Sequence, residues 1–298
     1  MIQNASFISA SIGKKKRLNN LFFNEKCVFV PLDDSLISGP FDGLFDLRKK
    51  IEEICNAKPS AILGFPGTVK LLNDRFLDIP FILNLTASTT LYEHTKKEVI
   101  STVEQAISLG ADAVAVHINF SSKYESNMLK SLGDISETCC KYGIPLMVLA
   151  YPRKEKIDNG KYIDENYIDL KLTSPDKYTK LVAHCVRVAY ELGADIIKTQ
   201  YTGSIESFQK VVIAAQGTPL VIAGGPLLEE RELFGICRNA IDAGAAGVCL
   251  GRNVFNRCNS IYIIESIKKI VFNGISVEDA INYIKYTERG IDYEQQLQ

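Results

Sequence analysis

The chain of 298 residues has no tryptophan and only three histidines, at positions 94, 117 and 184. No H-x-x-H or H-E-x-x-H spacing connects those histidines, which removes the usual sequence basis for a transition-metal centre. No cysteine pair shows the C-x-x-C spacing either. The eight cysteines, at 27, 55, 139, 140, 185, 237, 249 and 258, fall mostly in apolar or helical stretches. They read as reduced, buried thiols of a cytoplasmic protein rather than as a disulfide framework. No apolar run reaches the roughly 20 residues that a membrane span needs. The first residues are basic but lack the apolar stretch of a secretory signal. Neither sign of charge dominates: 34 Lys and Arg face 35 Asp and Glu, for a net charge of −1. That balance argues against nucleic acid or an anionic membrane as the main partner.

What the chain does have is a regular alternation. Eight strand-like runs span 27–33, 60–65, 80–86, 111–118, 145–151, 195–200, 219–224 and 246–251. Most are nearly continuous in apolar residues, as parallel strands covered by helices are. Amphipathic segments at 97–110, 126–143, 178–193 and 233–244 lie between them, each ending in glycine just before the next strand. The phrases SLGADAV (108–114), ELGADII (191–197) and DAGAAGV (242–248) repeat this junction. Eight such units predict an α/β fold, a single (β/α)8 TIM barrel over residues 1–298. A doubly wound open sheet is the competing fold, and no G-x-G-x-x-G follows any strand to support it. Two stretches stand outside the pattern: a basic, helical lead-in over 1–26, and a long polar connection over 154–176 after strand 5.

In a barrel the polar residues that close the strands at their C-terminal ends build the site. Strand 6 carries Lys198 within DIIKTQYTG, a charge in an apolar strand. Burial there favours the neutral amine, a nucleophile suited to Schiff-base formation with a carbonyl. The structural alternative is a lysine paired with a carboxylate or snorkelling to the surface. Strand 5 ends in Tyr151, Pro152 and Arg153, and strand 1 in Asp33 and Asp34. If Phe29 and Pro31 face the interior, alternation puts Asp33 there and turns Asp34 outward or into the loop. The same rule groups Tyr151 with Leu149 and Met147, and Lys198 with Ile196. A lysine that forms an iminium, a tyrosine that donates and accepts protons and an assisting aspartate make one chemical set. Taken singly, Tyr151 also reads as a packing aromatic and Asp33 as a loop cap. Strands 7 and 8 end in GGP (224–226) and GRN (251–253). Gly224, Gly225 and Gly251 let backbone N–H groups approach an anion, and Arg252 adds charge. The alternative is that these glycines only make tight turns. Gly203, Arg153, His117 and Asp34 complete the candidate substrate-binding set.

These blocks resemble the archaeal-type class I aldolase family, most closely its branch of 2-amino-3,7-dideoxy-D-threo-hept-6-ulosonate synthases. The resemblance runs from IGKKKRL (12–18) through SGPFDGL (38–44), TAST (86–89), TVEQAISLGADAVAVHIN (102–119), YPR (151–153), ADIIKTQYTG (194–203) and VIAGGP (221–226) to DAGAAGVCLGRNVF (242–255). It implies a homo-oligomeric, decameric barrel in which Lys198 forms the imine, Tyr151 is the acid/base and Asp33 the strand-1 aspartate. The implied reaction joins a fragment of a phosphorylated ketose, or dihydroxyacetone phosphate, to an aldehyde such as aspartate semialdehyde. No cofactor is implied beyond the covalent imine on Lys198. The family's fructose-bisphosphate aldolase branch, the alternative activity, tends to carry tryptophan two residues before the tyrosine; here that residue is Leu149. The chain departs from the family at Asp34, where histidine is usual, at Gly64 to Pro66, where the synthase branch has histidine and lysine, and at Asn84, where histidine is common. Those losses leave open a third reading, a catalytically silent barrel with a binding or assembly role.

Overall fold

In the computed structural model, which describes residues 11–288 apart from 41, 73, 159, 160 and 166, the eight predicted runs form eight parallel strands. They are β1 (Cys27–Pro31), β2 (Ala61–Gly64), β3 (Phe81–Asn84), β4 (Ala113–Phe120), β5 (Leu146–Pro152), β6 (Ile196–Gln200), β7 (Leu220–Ala223) and β8 (Gly247–Cys249). Each pairs with its sequence neighbours, and β1 pairs with both β2 and β8, so the sheet closes into a barrel. Strict alternation sorts the side chains. Phe29, Leu63, Ile82, Ala115, Met147, Leu149, Ile196, Val221 and Cys249 fill the interior. Val28, Val30, Ile62, Leu83, Val114, Val148, Ile197, Ile222 and Val248 point outward into the layer beneath the helices. Both faces are buried, which is why the strands read as continuous apolar runs.

The outer helices are α2 (Leu47–Asn56), α3 (Val103–Ser108), α4 (Glu125–Tyr142), α5 (Pro175–Glu191), α6 (Ile205–Ala214), α7 (Glu230–Asp242), α8 (Ser260–Lys268) and α9 (Val277–Glu288). Gly110, Gly143, Gly193 and Gly244, the predicted helix stops, all have positive φ. One helix expectation is corrected. The segment 97–110 does not begin as helix: Glu98–Val99 pairs antiparallel with Thr86–Ala87 in a small ribbon over the barrel mouth. The helix starts only after Thr102, whose hydroxyl accepts the Gln105 N–H at 3.1 Å. The 154–176 connection holds an antiparallel hairpin, Lys154–Asp158 with Lys161–Glu165, and a short helix, Ile168–Thr173. Lys171 of that helix donates to the Tyr201 carbonyl at 3.0 Å, so the connection rests on the loop after β6.

The lead-in is helical from Ile12 to Leu21, here α1, while residues 1–10 lie outside the described part. It plugs the N-terminal mouth of the barrel. Leu18, Leu21 and Phe22 join the interior cluster, and Phe22 meets Phe29 edge-on with ring centroids 5.8 Å apart. A buried ion pair holds the plug: Lys14 Nζ lies 2.6 Å from Asp195 Oδ2, which also accepts the Leu146 N–H at 2.9 Å. Burial disfavours both charges, yet Asp195 outweighs it at Lys14 and raises the ammonium above its ordinary value. Removing one partner strands the other charge. Lys14→Met is therefore expected to cost about 3–5 kcal/mol of stability, read from urea unfolding, and Asp195→Asn a comparable amount. A loss below about 1 kcal/mol, typical of an exposed pair, sinks this account.

Candidate active site

The alternation that fills the barrel also aims its polar ends. On β6, Ile196 and Lys198 share the inward face, and Lys198 is only 7% exposed. Neighbouring β5 registers Leu149 against Lys198 and carries Tyr151 two residues further up, inward and buried. On the other side β7 sets Val221 against Lys198. Asp33 lies two residues past the end of β1, buried, with its charge felt at Lys198. The structure thus brings Lys198, Tyr151 and Asp33 together, as strand alternation predicts. Cys249 on β8 is a further neighbour, its thiol hydrogen-bonded with Lys198. Sequence reading treated it only as a buried thiol.

The charge state of the lysine differs from expectation. Burial opposes the Lys198 ammonium, but Cys249, Tyr151 and Asp33 act the other way and raise its pKa above the ordinary value. Burial pushes the Tyr151 phenol up to about 12 and also lifts the Cys249 thiol. At neutral pH those two are uncharged, which leaves Asp33 as the anion that supports the ammonium. The surroundings thus shift the Lys198 pKa upward, opposite to the downward shift that burial alone predicts. Burial raises the Asp33 carboxyl as well, against the pull of Lys198. A raised carboxyl beside an ammonium is a short route for the proton that the lysine must lose before it attacks a carbonyl.

Asn84, which stands where a histidine is common in the resembling family, has a defined task. Its amide donates to Asp33 Oδ2 at 3.1 Å, and its own oxygen accepts from the Thr86 N–H and hydroxyl at 3.2 and 3.3 Å. The Thr86 hydroxyl in turn accepts the His117 N–H at 2.8 Å. Asp33 is thereby fixed from β3 without an added charge. His117 Nε2 lies 2.9 Å from Asn119 Oδ1, and its ring meets Tyr151 edge-on at 5.1 Å. Burial, Lys97 and Arg153 hold that imidazole well below its ordinary pKa, so it is neutral.

The loops after β7 and β8 face the same mouth. Gly225 has φ +68 with open space where a side chain would sit. A Cβ at Gly224 would stand 2.9 Å from Leu250 Cδ2 and 3.1 Å from Asn253 Nδ2. Asn253, fully buried, ties the two loops together. Its amide donates to the carbonyls of Gly224 and Pro226 at 3.0 and 2.7 Å, and its oxygen accepts the Leu228 N–H at 2.9 Å. That clamp was not singled out from the sequence, because the two loops are 27 residues apart. Gly251 starts the short helix Arg252–Phe255. Arg252 stands at the rim, 51% exposed, with Nε 3.7 Å from Asp34 Oδ2 across β1. Asp34 turns away from Asp33 toward that rim, as alternation implies. Gly203 is exposed at φ +114, and a Cβ placed there would stand 3.6 Å from Lys171 Cε.

Arg153 sits beyond Tyr151, its guanidinium 5.9 Å from the Tyr151 ring centre, and Arg153 Nη1 is 3.3 Å from His94 Nε2. Among the described residues no three His, Cys, Asp or Glu side chains come together as a metal-ion cluster. No described helix is long and apolar enough to cross a membrane.

A closed parallel barrel with a buried lysine, tyrosine and aspartate under two glycine loops is an aldolase-type (β/α)8 barrel. The chain belongs to the DeoC/LacD family of aldolases, whose family pattern matches residues 27–257. It is 35% identical over 270 residues to a 2-amino-3,7-dideoxy-D-threo-hept-6-ulosonate synthase of Halobacterium salinarum, across 90% of this chain and 95% of that one. It is 30% identical over 271 residues to a 2-amino-4,5-dihydroxy-6-oxo-7-(phosphonooxy)heptanoate synthase of Streptomyces griseus, across 89% of this chain and 93% of the relative. Among solved structures, an archaeal fructose-1,6-bisphosphate aldolase with its catalytic lysine covalently bound to the carbinolamine intermediate superposes with a TM-score of 0.74 at 27% identity. The match covers 87% of this chain and 99% of that one.

The electrostatics of Lys198 are directly testable. Asp33→Asn removes the anion that supports the ammonium, so the Lys198 pKa is expected to fall by about one unit or more. The pH dependence of reductive methylation at Lys198, followed by peptide mass analysis, measures it. An unchanged or higher midpoint contradicts the assignment.

Proposed function

We propose that the protein is a Schiff-base aldolase that joins a three-carbon keto fragment to aspartate semialdehyde, through an imine on Lys198. The observation that carries this reading is a buried lysine between a protonated tyrosine and a buried carboxylate, at the C-terminal end of a barrel. The names of the two synthases above support one choice of bond. Both products are seven-carbon 2-amino acids with a 6-oxo group, and the 4- and 5-positions carry hydroxyls. An aldol bond in such a chain lies between carbons 4 and 5. Carbons 1–4 are then aspartate semialdehyde, and carbons 5–7 are the ketone donor, which keeps its phosphate on carbon 7 in the Streptomyces product.

The residues have matching tasks. Lys198 gives its proton to Asp33 and attacks the donor ketone. Tyr151, protonated because burial holds it near 12, donates to the carbinolamine hydroxyl, which leaves as water. The resulting iminium draws electrons from the neighbouring carbon, so the covalent imine itself serves as the electron sink. When the donor is a longer phosphorylated ketose, that carbon is freed by retro-aldol cleavage as the Tyr151 phenolate takes the proton of the leaving hydroxyl; when it is dihydroxyacetone phosphate, the phenolate takes a proton from that carbon, and either way Tyr151 is protonated again. The enamine attacks the aldehyde, Tyr151 protonates the new alkoxide, and water releases the product. Backbone N–H groups at Gly224, Gly225 and Gly251, with Arg252 above them, hold the donor phosphate. His117 keeps the Tyr151 ring in place. Eight cysteines without a disulfide suit a cytoplasmic setting. Exposed apolar side chains such as Phe45 and Leu91 suit a homo-oligomer.

Borohydride reduction in the presence of dihydroxyacetone phosphate is expected to leave a stable adduct on the Lys198 peptide, and none in Lys198→Met. Tyr151→Phe is expected to lower turnover about 10²–10⁴-fold while a slow adduct persists. Retained ligand binding with no adduct would mean a silent barrel. Robust cleavage of fructose bisphosphate, in place of condensation with aspartate semialdehyde, would mean the fructose-bisphosphate activity.

A further inference from the structure

Alternation along β4 carries Ala113 and Ala115 into the barrel interior, and His117 and Asn119 follow on the same face. The register sets His117 against Leu149 of β5, and Leu149 against Lys198 of β6. His117 and Lys198 therefore stand in one inward row, two strands and about 10 Å of backbone apart. Both are buried, as is Asn119. Asn119 decides which proton the imidazole carries. Its amide nitrogen donates to the Thr95 carbonyl at 2.7 Å, and a carbonyl can only accept. That contact fixes which end of the amide is oxygen, so Oδ1 is the atom 2.9 Å from His117 Nε2. Oδ1 also can only accept, which puts the ring proton on Nε2. Burial is the main cause that holds this imidazole well below its ordinary pKa. The ring carries one proton, and Nδ1 is a bare lone pair.

Among the described residues no hydrogen-bond partner reaches Nδ1, and the atom is not sealed from the barrel mouth. The Tyr151 ring stands edge-on to the imidazole with centres 5.1 Å apart. A phenol that donates and a ring nitrogen that accepts are thus side by side on neighbouring strands, within reach of what Lys198 binds. In the condensation proposed above, the new bond leaves oxygen on two adjacent carbons. The oxygen on carbon 4 is an alkoxide that needs a proton, and only Tyr151 can give one, since Nδ1 has none. The oxygen on carbon 5 is the hydroxyl of the nucleophilic carbon, and it has a proton to offer. The unpaired acceptor and the unassigned donor match.

We propose that His117 Nδ1 is the specificity-determining acceptor for the hydroxyl on the nucleophilic carbon of the keto donor, with Asn119 as the positioning residue that holds the required tautomer. The inference rests on the proposed Schiff-base condensation and adds which donors it takes. The pair selects hydroxylated donors over their deoxy analogues, because a methyl group would leave a buried acceptor without a partner. It also holds the enamine hydroxyl in one orientation, so that one relative configuration at carbons 4 and 5 results. A ring held this far below neutrality accepts the hydrogen bond without taking the proton, which leaves the acid–base work to Tyr151.

Dihydroxyacetone phosphate and hydroxyacetone phosphate are suitable probes, since they differ only in the hydroxyl on the nucleophilic carbon. Borohydride trapping on the Lys198 peptide across donor concentrations gives a half-saturating concentration for each. The wild type is expected to favour dihydroxyacetone phosphate by about tenfold or more. His117→Phe keeps a ring against Tyr151 but has no acceptor, and is expected to narrow the preference to about twofold. His117→Gln, which offers an amide oxygen, is expected to retain most of it. Comparing variants cancels the intrinsic reactivity of the two ketones. With aspartate semialdehyde present, His117→Phe is also expected to give a mixture of diastereomers at carbons 4 and 5, resolved by chromatography. The same preference in the wild type and in folded His117→Phe overturns the proposal. So does an equal loss of trapping with both donors, which is what a ring that only packs against Tyr151 would produce. If the phenylalanine variant does not fold, the wild type decides, because equal half-saturation by the two donors overturns the assignment without any variant. No wild-type adduct from either donor counts against the condensation itself, whereas adducts from both at equal concentrations count against the role of His117 alone.

Discussion

A positive charge buried in a closed apolar barrel is the constraint to which the rest of the site answers. The Lys198 ammonium loses hydration inside the barrel, and its pKa is raised against that loss by Cys249, by Tyr151 and by a carboxylate, Asp33. That carboxylate would itself be costly to bury without partners, and the Asn84 amide is the hydrogen bond that makes it tenable. Asn84 depends on Thr86, and Thr86 is the hinge between β3 and the ribbon that closes over the mouth. One buried charge therefore organises a chain of contacts across four strands. Each member has the polarity that its neighbour requires.

The departures from the resembling family acquire physical meaning in this setting. An asparagine in place of a histidine at position 84 satisfies Asp33 with a neutral donor, so the negative charge facing Lys198 is not diluted by an imidazolium. Asp34 does not crowd Asp33, because alternation carries it to the rim, where it meets Arg252. At 3.7 Å and half exposed, that pair is loose enough for a phosphate to compete for the arginine. Basic groups stand elsewhere, with Lys97 and Arg153 meeting the His94 ring from two edges.

The two ends of the barrel divide the work. At the N-terminal mouth, α1 supplies an apolar plug and the Lys14–Asp195 pair, which lock β5 and β6 at their starts. At the other mouth the same two strands present Tyr151 and Lys198. A rigid lower half lets the upper half hold buried polar groups in fixed positions without a collapse of the core around them. The Asn253 clamp plays a similar part between the loops after β7 and β8. Both are side-chain contacts between segments far apart in the chain.

The amino-acid sequence by itself determined the barrel, its eight strands and the inward face of each, because a period of two and a glycine after each helix are local properties. It also marked Lys198, Tyr151 and Asp33, since a polar residue that ends an apolar strand stands out against its neighbours. The start of α3 was not legible. Glu98 and Val99 take an extended form because Thr86–Ala87 lies alongside, and a strand partner distant in sequence leaves no local trace. The direction of the Lys198 pKa shift was decided by tertiary structure for the same kind of reason. Burial can be read from an apolar run, but the carboxylate that opposes it sits just past β1, 165 residues away. The clamp by Asn253, the support of Asp33 by Asn84 and the meeting of Lys97 with Arg153 around His94 likewise exist only once the barrel has closed. Local pattern sets which way a side chain points; only closure sets what it meets, and the energies of buried charges depend on the second.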